Sequence, residues 1–271
     1  MKDQTERFED VLNEISLLDA IGKETQIPRV TVHRVIDSTN AEAKRMLLDG
    51  ETSPILVVAE SQTAGRGRMG RSFYSPDKTG AYFSIAYVAE GAPESAVTIT
   101  GAASVAVMCA IRRLTGIQTR IKWVNDLYLN DRKVCGILAE SILGAWEDGR
   151  PRIVIGIGIN LHTRSFPKEL VGKAGSLEAP KLSRAELIAA VWRELAPMLT
   201  SIEDRSWLSD YRTHSTVLGK RVGWIEGEAR RVGFAEAIDE NGALIVLDET
   251  GERVRLFTGE ISLFSDGEPI V

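Results

Sequence analysis

Cysteine is scarce: Cys109 and Cys135 are the only two, and both sit in apolar runs where a small buried hydrophobe is expected. Histidine is scarce too. His33, His162 and His214 are scattered without metal-ligand spacing, so solvent or structural roles are expected for them and a dedicated metal site is not. Long hydrophobic runs are missing, and no stretch reads as reaching membrane-spanning length. The start Met1-Lys2-Asp3-Gln4 lacks a secretory pattern, so the expected compartment is the cytoplasm. An excess of positive charge is also absent. The formal net charge of -5 disfavours bulk binding to nucleic acid or to an anionic membrane. No Gly-Lys-Ser/Thr occurs, which excludes a Walker phosphate loop, and no H-R-D or D-F-G tripeptide supports a kinase.

What is present is ordinary for a globular protein. A chain of 271 residues, 44% hydrophobic and 26% charged, suits one large domain or one large and one small. One stretch stands out, Ser61-Gln62-Thr63-Ala64-Gly65-Arg66-Gly67-Arg68-Met69-Gly70-Arg71-Ser72-Phe73. It lies between two runs that read as strands, Ile55–Val58 and Ala81–Val88. Glycine lets backbone N–H groups approach a ligand, and arginine offers a charged planar fork for carboxylate or phosphate. Gly65, Gly67 and Gly70 satisfy G-x-G-x-x-G, yet Pro76, a turn at 77–80 and an aromatic strand follow. A dinucleotide fold needs a helix there, so that reading fails. The loop reads as a wrap for a small anion, with a plain basic surface loop as the alternative.

Taken in order, residues 1–28 read as a polar helix with apolar points at Phe8, Val11, Leu12, Ile15 and Leu18. This is too little for a winged-helix DNA-binding domain. Val30–Val35 reads as a strand. Asp37-Ser38-Thr39-Asn40 either caps a helix over 41–48 or presents its polar groups to a ligand. A small-residue run over 94–114 reads as a buried core helix. Arg120–Leu129 and Arg132–Glu140 form a hairpin around Asn130-Asp131. Alternation puts Lys133 on the side of Cys135 and Ile137, either as an edge-strand gatekeeper or as a charge aimed into a site. Arg152–Leu161 is a strand containing Gly156 and Gly158, which mark close approach of a ligand or of another element. Residues 165–181 suit a site-covering loop. Ser183-Arg184-Ala185-Glu186 reads as a capping box opening a helix to about residue 199, and a further helical piece covers 202–211. From 218 onward short strands and turns dominate, including an Asn241-Gly242 hairpin signal.

Ser38-Thr39-Asn40, Gln62 with Gly65-Arg66-Gly67-Arg68-x-Gly70-Arg71, Lys122-Trp123-x-Asn125-Asp126, Lys133-x-x-Gly136-Ile137-Leu138, Gly156-x-Gly158-x-Asn160 and Gly259-Glu260-Ile261-Ser262-Leu263 together resemble the biotin protein ligases in order and approximate spacing. The resemblance covers roughly residues 30–264. It implies an α+β fold: a mixed sheet flanked by helices, like the class II aminoacyl-tRNA synthetases, followed by a small SH3-like β-barrel. The expected domains are 1–28 as an N-terminal helical extension, 29–217 as the biotin- and ATP-binding catalytic unit, and 218–271 as the β unit. The implied reaction joins biotin and ATP into biotinyl-AMP. It then passes biotin to one lysine of a biotin carboxyl carrier protein, that of acetyl-CoA carboxylase being the natural expectation.

Carried over residue by residue, the resemblance assigns biotin and its adenylate to Ser38, Thr39, Asn40, Gln62, Gly65, Arg66, Gly67, Arg68, Lys133, Gly136, Gly156 and Gly158. It assigns the nucleotide to Arg68, Arg71, Phe73, Asn125 and Asn160, with Mg²⁺ arriving with ATP. Lys133 and Arg66 are the catalytic cations. Asp126 is the candidate for orienting or deprotonating the incoming amine, with a purely structural carboxylate as its alternative. Three positions depart from the family pattern: Phe73 for a frequent tryptophan, Val124 for a frequent proline, and Met69 for a further cation. The short N-terminus leads to an expectation of no repressor activity. A homodimer through a free sheet edge is left open. The competing readings are a lipoate or octanoate ligase or transferase of related fold, a non-catalytic biotin sensor, and a nucleic-acid binder using the Gly-Arg loop.

Overall fold

Runs of β-branched and aromatic residues build the centre of the molecule, and two helical layers cover it. The computed structural model describes residues 10–23, 26–90, 96–142, 148–265 and 268–270. The elements run α1 (Glu14–Ile21), β1 (Arg29–Ile36), α2 (Thr39–Leu48), β2 (Ile55–Gln62), β3 (Gly80–Val88), α3 (Ala96–Thr115), β4 (Arg120–Lys122), β5 (Asp126–Leu129), β6 (Arg132–Ile142), β7 (Arg152–Asn160), α4 (Arg184–Thr200) and α5 (Trp207–Thr213). Strands β8 (Arg221–Glu226), β9 (Ala229–Ile238), β10 (Leu244–Asp248), β11 (Arg253–Leu256), β12 (Ser262–Ser265) and β13 (Glu268–Ile270) follow. The first sheet has the order β1-β2-β3-β7-β6-β5-β4, with β1 and β2 parallel and the other pairs antiparallel. It is thus a mixed sheet flanked by helices. The second sheet is antiparallel, with the order β11-β10-β9-β8-β12-β13, and does not close on itself.

Strand alternation splits the first sheet into two unlike faces. Leu56, Val58, Phe83, Ile85, Ile155 and Ile157 join the large core with α3, α4 and α5. On the opposite face Ile55, Val57, Ala86 and Val154 pack under Ala43 and Leu47 of α2. Farther along that second face the side chains shrink: Ser84 pairs with Gly156, and Gly158 lies between Tyr82 and Gly136. The first turn of α2 reaches the Ser84–Gly156 pair through Thr39 and Asn40, and the cavity opens beyond it, toward Gly158 and Gly136.

Several expectations change. The N-terminal helix is short, and its buried side is Leu17 and Ile21, whereas Val11, Ile15 and Leu18 are exposed. Packing against α4 rotated the face that sequence suggested. Phe8 and Glu94 lie outside the described residues. α3 is long and apolar enough to cross a membrane by length and composition, which corrects the reading that no such run exists. However, 78% of that stretch is buried among the other elements, as in a core helix. α2 starts at Thr39, and the Ser38 side chain makes no capping bond. At α4 only one arm of the expected box forms, from Glu186 N–H to Ser183 Oγ at 3.5 Å. The helical piece expected over 202–211 is α5, which begins later, after a turn at 201–203. The run 120–129 is broken by a turn at 123–125 into β4 and β5. Val124 in this turn is buried, and its carbonyl accepts the Tyr211 hydroxyl at 2.9 Å.

The turn joining β9 to β10 ties the second sheet to the first layer. Trp123 Nε1 donates to Gly242 O at 2.9 Å, and Thr98 Oγ1 donates to Asn241 O at 3.0 Å. Gly242 has φ +82°, and a Cβ there would lie 3.3 Å from Val97 and 3.4 Å from Trp207. Glycine therefore serves both the turn and the close docking.

Candidate active site

The glycine–arginine stretch folds as a short hairpin. Phe73 N–H donates to Gly65 O at 2.9 Å, Gly67 N–H to Arg71 O at 2.7 Å, and Arg71 N–H to Arg68 O at 3.1 Å. Met69 and Gly70 both have left-handed backbone, φ 54° and 75°, the requirement of a two-residue primed turn. The hairpin lies over a cavity of about 450 Å³ floored by Gly156, Gly158, Gly136 and Leu138. Ser38, Thr39, Asn40, Gln62, Arg66, Gly67, Arg68, Arg71, Phe73, Asn125, Asp126, Lys133 and Asn160 also line it. Gly65 does not. It is buried beneath the hairpin, where a Cβ would come within 2.5 Å of Phe73 O and 2.9 Å of Ser75 Oγ, so it serves packing.

One end of the cavity is polar and heavily cross-linked. Thr39 N–H and Oγ1 donate to Gln62 Oε1 at 2.8 and 3.2 Å. Gln62 Nε2 donates to Ser75 Oγ at 2.9 Å, which donates to Phe73 O at 3.1 Å. Ser84 Oγ, fully buried, lies 2.6 Å from Asn40 Oδ1 and 2.7 Å from Thr39 Oγ1. Glu140 accepts from Asn40 Nδ2 at 2.7 Å and from Lys44 Nζ at 2.6 Å. Burial pushes the Glu140 carboxyl upward, but the hydrogen bonds from Lys44 and Asn40 outweigh it and leave the group below its ordinary value.

The other end is cationic. Arg68 donates to Asn125 Oδ1 at 3.1 Å and to Thr258 Oγ1 at 2.8 Å, while Asn125 Nδ2 donates to Ile137 O at 2.8 Å. Burial lowers the Arg68 guanidinium from its usual value, as it does the Lys122 ammonium beside the Tyr128 ring. Arg71 forks onto the Glu260 carboxylate. Lys133 Nζ is 2.7 Å from Asp126 Oδ1. Among the described residues the Arg66 side chain has no carboxylate partner within ion-pair distance.

Lys133 does not follow the alternation that would group it with Cys135 and Ile137. Cys135 pairs with Leu127 while Lys133 pairs with Tyr128, so β6 carries one extra residue, a bulge, at Val134. The bulge turns Lys133 to the cavity, where its Cε and Nζ lie 3.1 and 3.2 Å from a Cβ built at Gly136. The gatekeeper alternative for Lys133 falls with it.

The close-approach reading of the strand glycines acquires named partners. A Cβ at Gly156 would stand 2.1 Å from Asn40 Oδ1, and one at Gly158 would stand 2.4 Å from the Phe73 ring. Phe73 also meets Tyr82 edge to face at 6.4 Å. Asn160 is buried, donates to Gly175 O at 3.0 Å, and has its Oδ1 unbonded. Sequence reasoning missed Ser75, Ser84, Lys44 and Glu140, which hold the polar end. It assigned no role to Thr258 and Glu260, though Glu260 lay within a quoted motif.

Residues 32–160 match the biotin/lipoate A/B protein ligase family, and residues 217–263 match the biotin protein ligase C-terminal domain. The bifunctional ligase/repressor BirA of Escherichia coli is 36% identical over 87% of this chain and 74% of its own length. The biotin–[acetyl-CoA-carboxylase] ligase of Mycobacterium tuberculosis is 30% identical over 94% and 97%. The biotin protein ligase from Aquifex aeolicus in complex with biotin and ATP superposes with a TM-score of 0.73 at 27% identity, covering 88% of this chain and 99% of that one. The two matched ranges span most of the sheet that carries the cavity and the β unit that follows it. The chain belongs to the biotin protein ligase family.

Proposed function

We propose that this enzyme condenses biotin with ATP to biotinyl-AMP and pyrophosphate, and then transfers biotin to a lysine of a biotin carboxyl carrier protein. The observation that carries the reading is the polarity of the cavity. Ser38, Thr39 and Gln62 stand at one end and Arg68, Arg71 and Lys133 at the other, with glycines between; Arg66 lines the same cavity and is near enough to Glu140 to help hold that carboxyl below its ordinary value. A ureido ring needs donors for its carbonyl and an acceptor for its N–H groups, and the polar end offers both. Biotin's carboxylate is already ionised and needs no base. Its obstacle is approaching an anionic α-phosphate, a repulsion of roughly 4 kcal/mol at ~4 Å and an effective dielectric of ~20. Fixed cations offset this repulsion and stabilise the charge that builds in the transition state. Lys133 and Arg66 take that role, and Arg68, Arg71, Phe73, Asn125 and Asn160 hold the nucleotide.

Among the described residues no cluster of three metal-ligating side chains exists. Mg²⁺ enters with ATP, since this ion is commonly bound through substrate phosphates and retained waters. Asp126 serves the second step. Lys133 engages its carboxylate at 2.7 Å, so an incoming amine gains access once Lys133 turns to the adenylate. We divide the chain into an extension to residue 28, a catalytic unit to 217 and a β unit beyond, and place the reaction in the cytoplasm without DNA.

The test is biotin-dependent exchange of pyrophosphate into ATP, followed by transfer to a carrier domain with ATP and Mg²⁺. Exchange without biotin dependence, or none, removes the reading and leaves a sensor. A lipoate ligase is the second reading, since the matching family covers both acids. The dithiolane ring has no N–H or carbonyl to meet Thr39 and Gln62, so calorimetry should record biotin binding and no lipoate binding. In Asp126→Asn the adenylate should still form while transfer slows by at least tenfold. Unimpaired transfer removes the role of Asp126.

A further inference from the structure

Glu260 sits on a cation that the proposed reaction needs, although it comes from the C-terminal unit, 189 residues from Arg71. Both oxygens of Glu260 face the Arg71 fork, with Nη2 to Oε2 at 2.6 Å. Beside it, Arg68 Nη2 donates to Thr258 Oγ1 at 2.8 Å. The segment 258–260 thus covers, with an anionic and a neutral oxygen, guanidinium donors aimed along the cavity. A carboxylate on an arginine fork has the same bidentate geometry as a phosphate on that fork.

We infer that Glu260 is an internal competitor of the nucleotide's polyphosphate. It latches the C-terminal unit to the glycine–arginine hairpin through Arg71, and ATP displaces it. The inference rests on the ligase reading and names a determinant of nucleotide affinity within it. Two features suit a displaceable contact. Arg71 and Glu260 keep 66% and 55% of their side-chain surface exposed, so water screens the pair and it is weak. Gly259, immediately before Glu260, has φ +128°, which L side chains rarely adopt, and a Cβ there would meet nothing within 4 Å. The chain therefore turns at a glycine just where the carboxylate must leave.

The experiment titrates the full-length, biotin-loaded protein with α,β-methylene ATP and Mg²⁺. An exposed pair of this kind is worth about 1 kcal/mol at most, so Glu260→Gln should bind the nucleotide about two- to fivefold more tightly than wild type. Glu260→Asp keeps the charge but has too short an arm to hold the fork, and it should tighten binding as well. Binding by Glu260→Gln that equals or is weaker than wild type overturns the latch. So does tightening by Gln with none by Asp, because the general field of the charge then explains the effect. These outcomes leave the ligase reading intact. Only a wild-type protein without biotin-dependent exchange removes that reading, and the latch goes with it.

Discussion

Replacing Gly156 by alanine puts a methyl group where Asn40 already stands. The new Cβ would lie 2.1 Å from Asn40 Oδ1, 2.8 Å from its Cγ and 2.9 Å from its Nδ2. A long surface side chain would swing away at little cost. Asn40 cannot, because Glu140 holds its Nδ2 at 2.7 Å and Ser84 holds its Oδ1 at 2.6 Å. The backbone of Asn40 is fixed as well, in the first turn of α2. Overpacking a filled site costs about 1–3 kcal/mol, and losing a hydrogen bond to a charged group costs about 1.5–3 kcal/mol. Each loss relieves part of the other, so the expected destabilisation is about 2–3 kcal/mol. That is a sizeable share of a domain stability of about 5–15 kcal/mol. Urea unfolding with an unchanged slope reads it directly. The double variant with Asn40→Ala supplies the control, since the obstruction is then gone. In that background Gly156→Ala should cost under about 0.5 kcal/mol, a coupling of about 2 kcal/mol. An equal cost in both backgrounds refutes the reasoning, as does a single variant within about 0.5 kcal/mol of wild type.

Two further outcomes test other parts of the site. Lys133→Ala should slow biotin-dependent pyrophosphate exchange by about 10²–10³-fold, the usual loss for one preorganised charge-stabilising group; the parental rate would exclude it from the first step. Glu140 has a folded-state pKa below its ordinary value. A carboxylate depressed on folding contributes stability above its unfolded pKa of about 4.3, and that stability is lost as pH falls through the folded value. The stability gap between wild type and Glu140→Gln should therefore narrow below about pH 4, measured by denaturant unfolding across that range; a constant gap would mean that the ion pair with Lys44 contributes nothing.

The strand cores, the hairpin at Asn130-Asp131, the β-rich C-terminal region and the Gly-Arg loop were legible in the sequence. Each is governed by local chemistry: β-branched runs, residues that accept left-handed backbone, and periodicity of two. Six short motifs in order were enough to name the family, because chemistry at a shared site restricts residue types at fixed spacing. The direction of Lys133 was not legible. A bulge at Val134 shifts the side-chain alternation by one, and nothing local to 132–137 announces it. The buried side of α1 was also undecided, since several rotations of a short amphipathic helix look alike until α4 selects one. Likewise Ser84 and Glu140 are ordinary residues in their own stretches, and the motif around Glu260 does not name its partner. All three matter because a sheet and a second unit bring them to Asn40 and Arg71 from 44, 100 and 189 residues away. The sequence by itself therefore determined the family, the strands and the glycine–arginine composition of the loop over the cavity. The tertiary structure alone decided which long-range partners hold those side chains in place, because packing and ion pairing between distant segments leave no periodic trace along the chain.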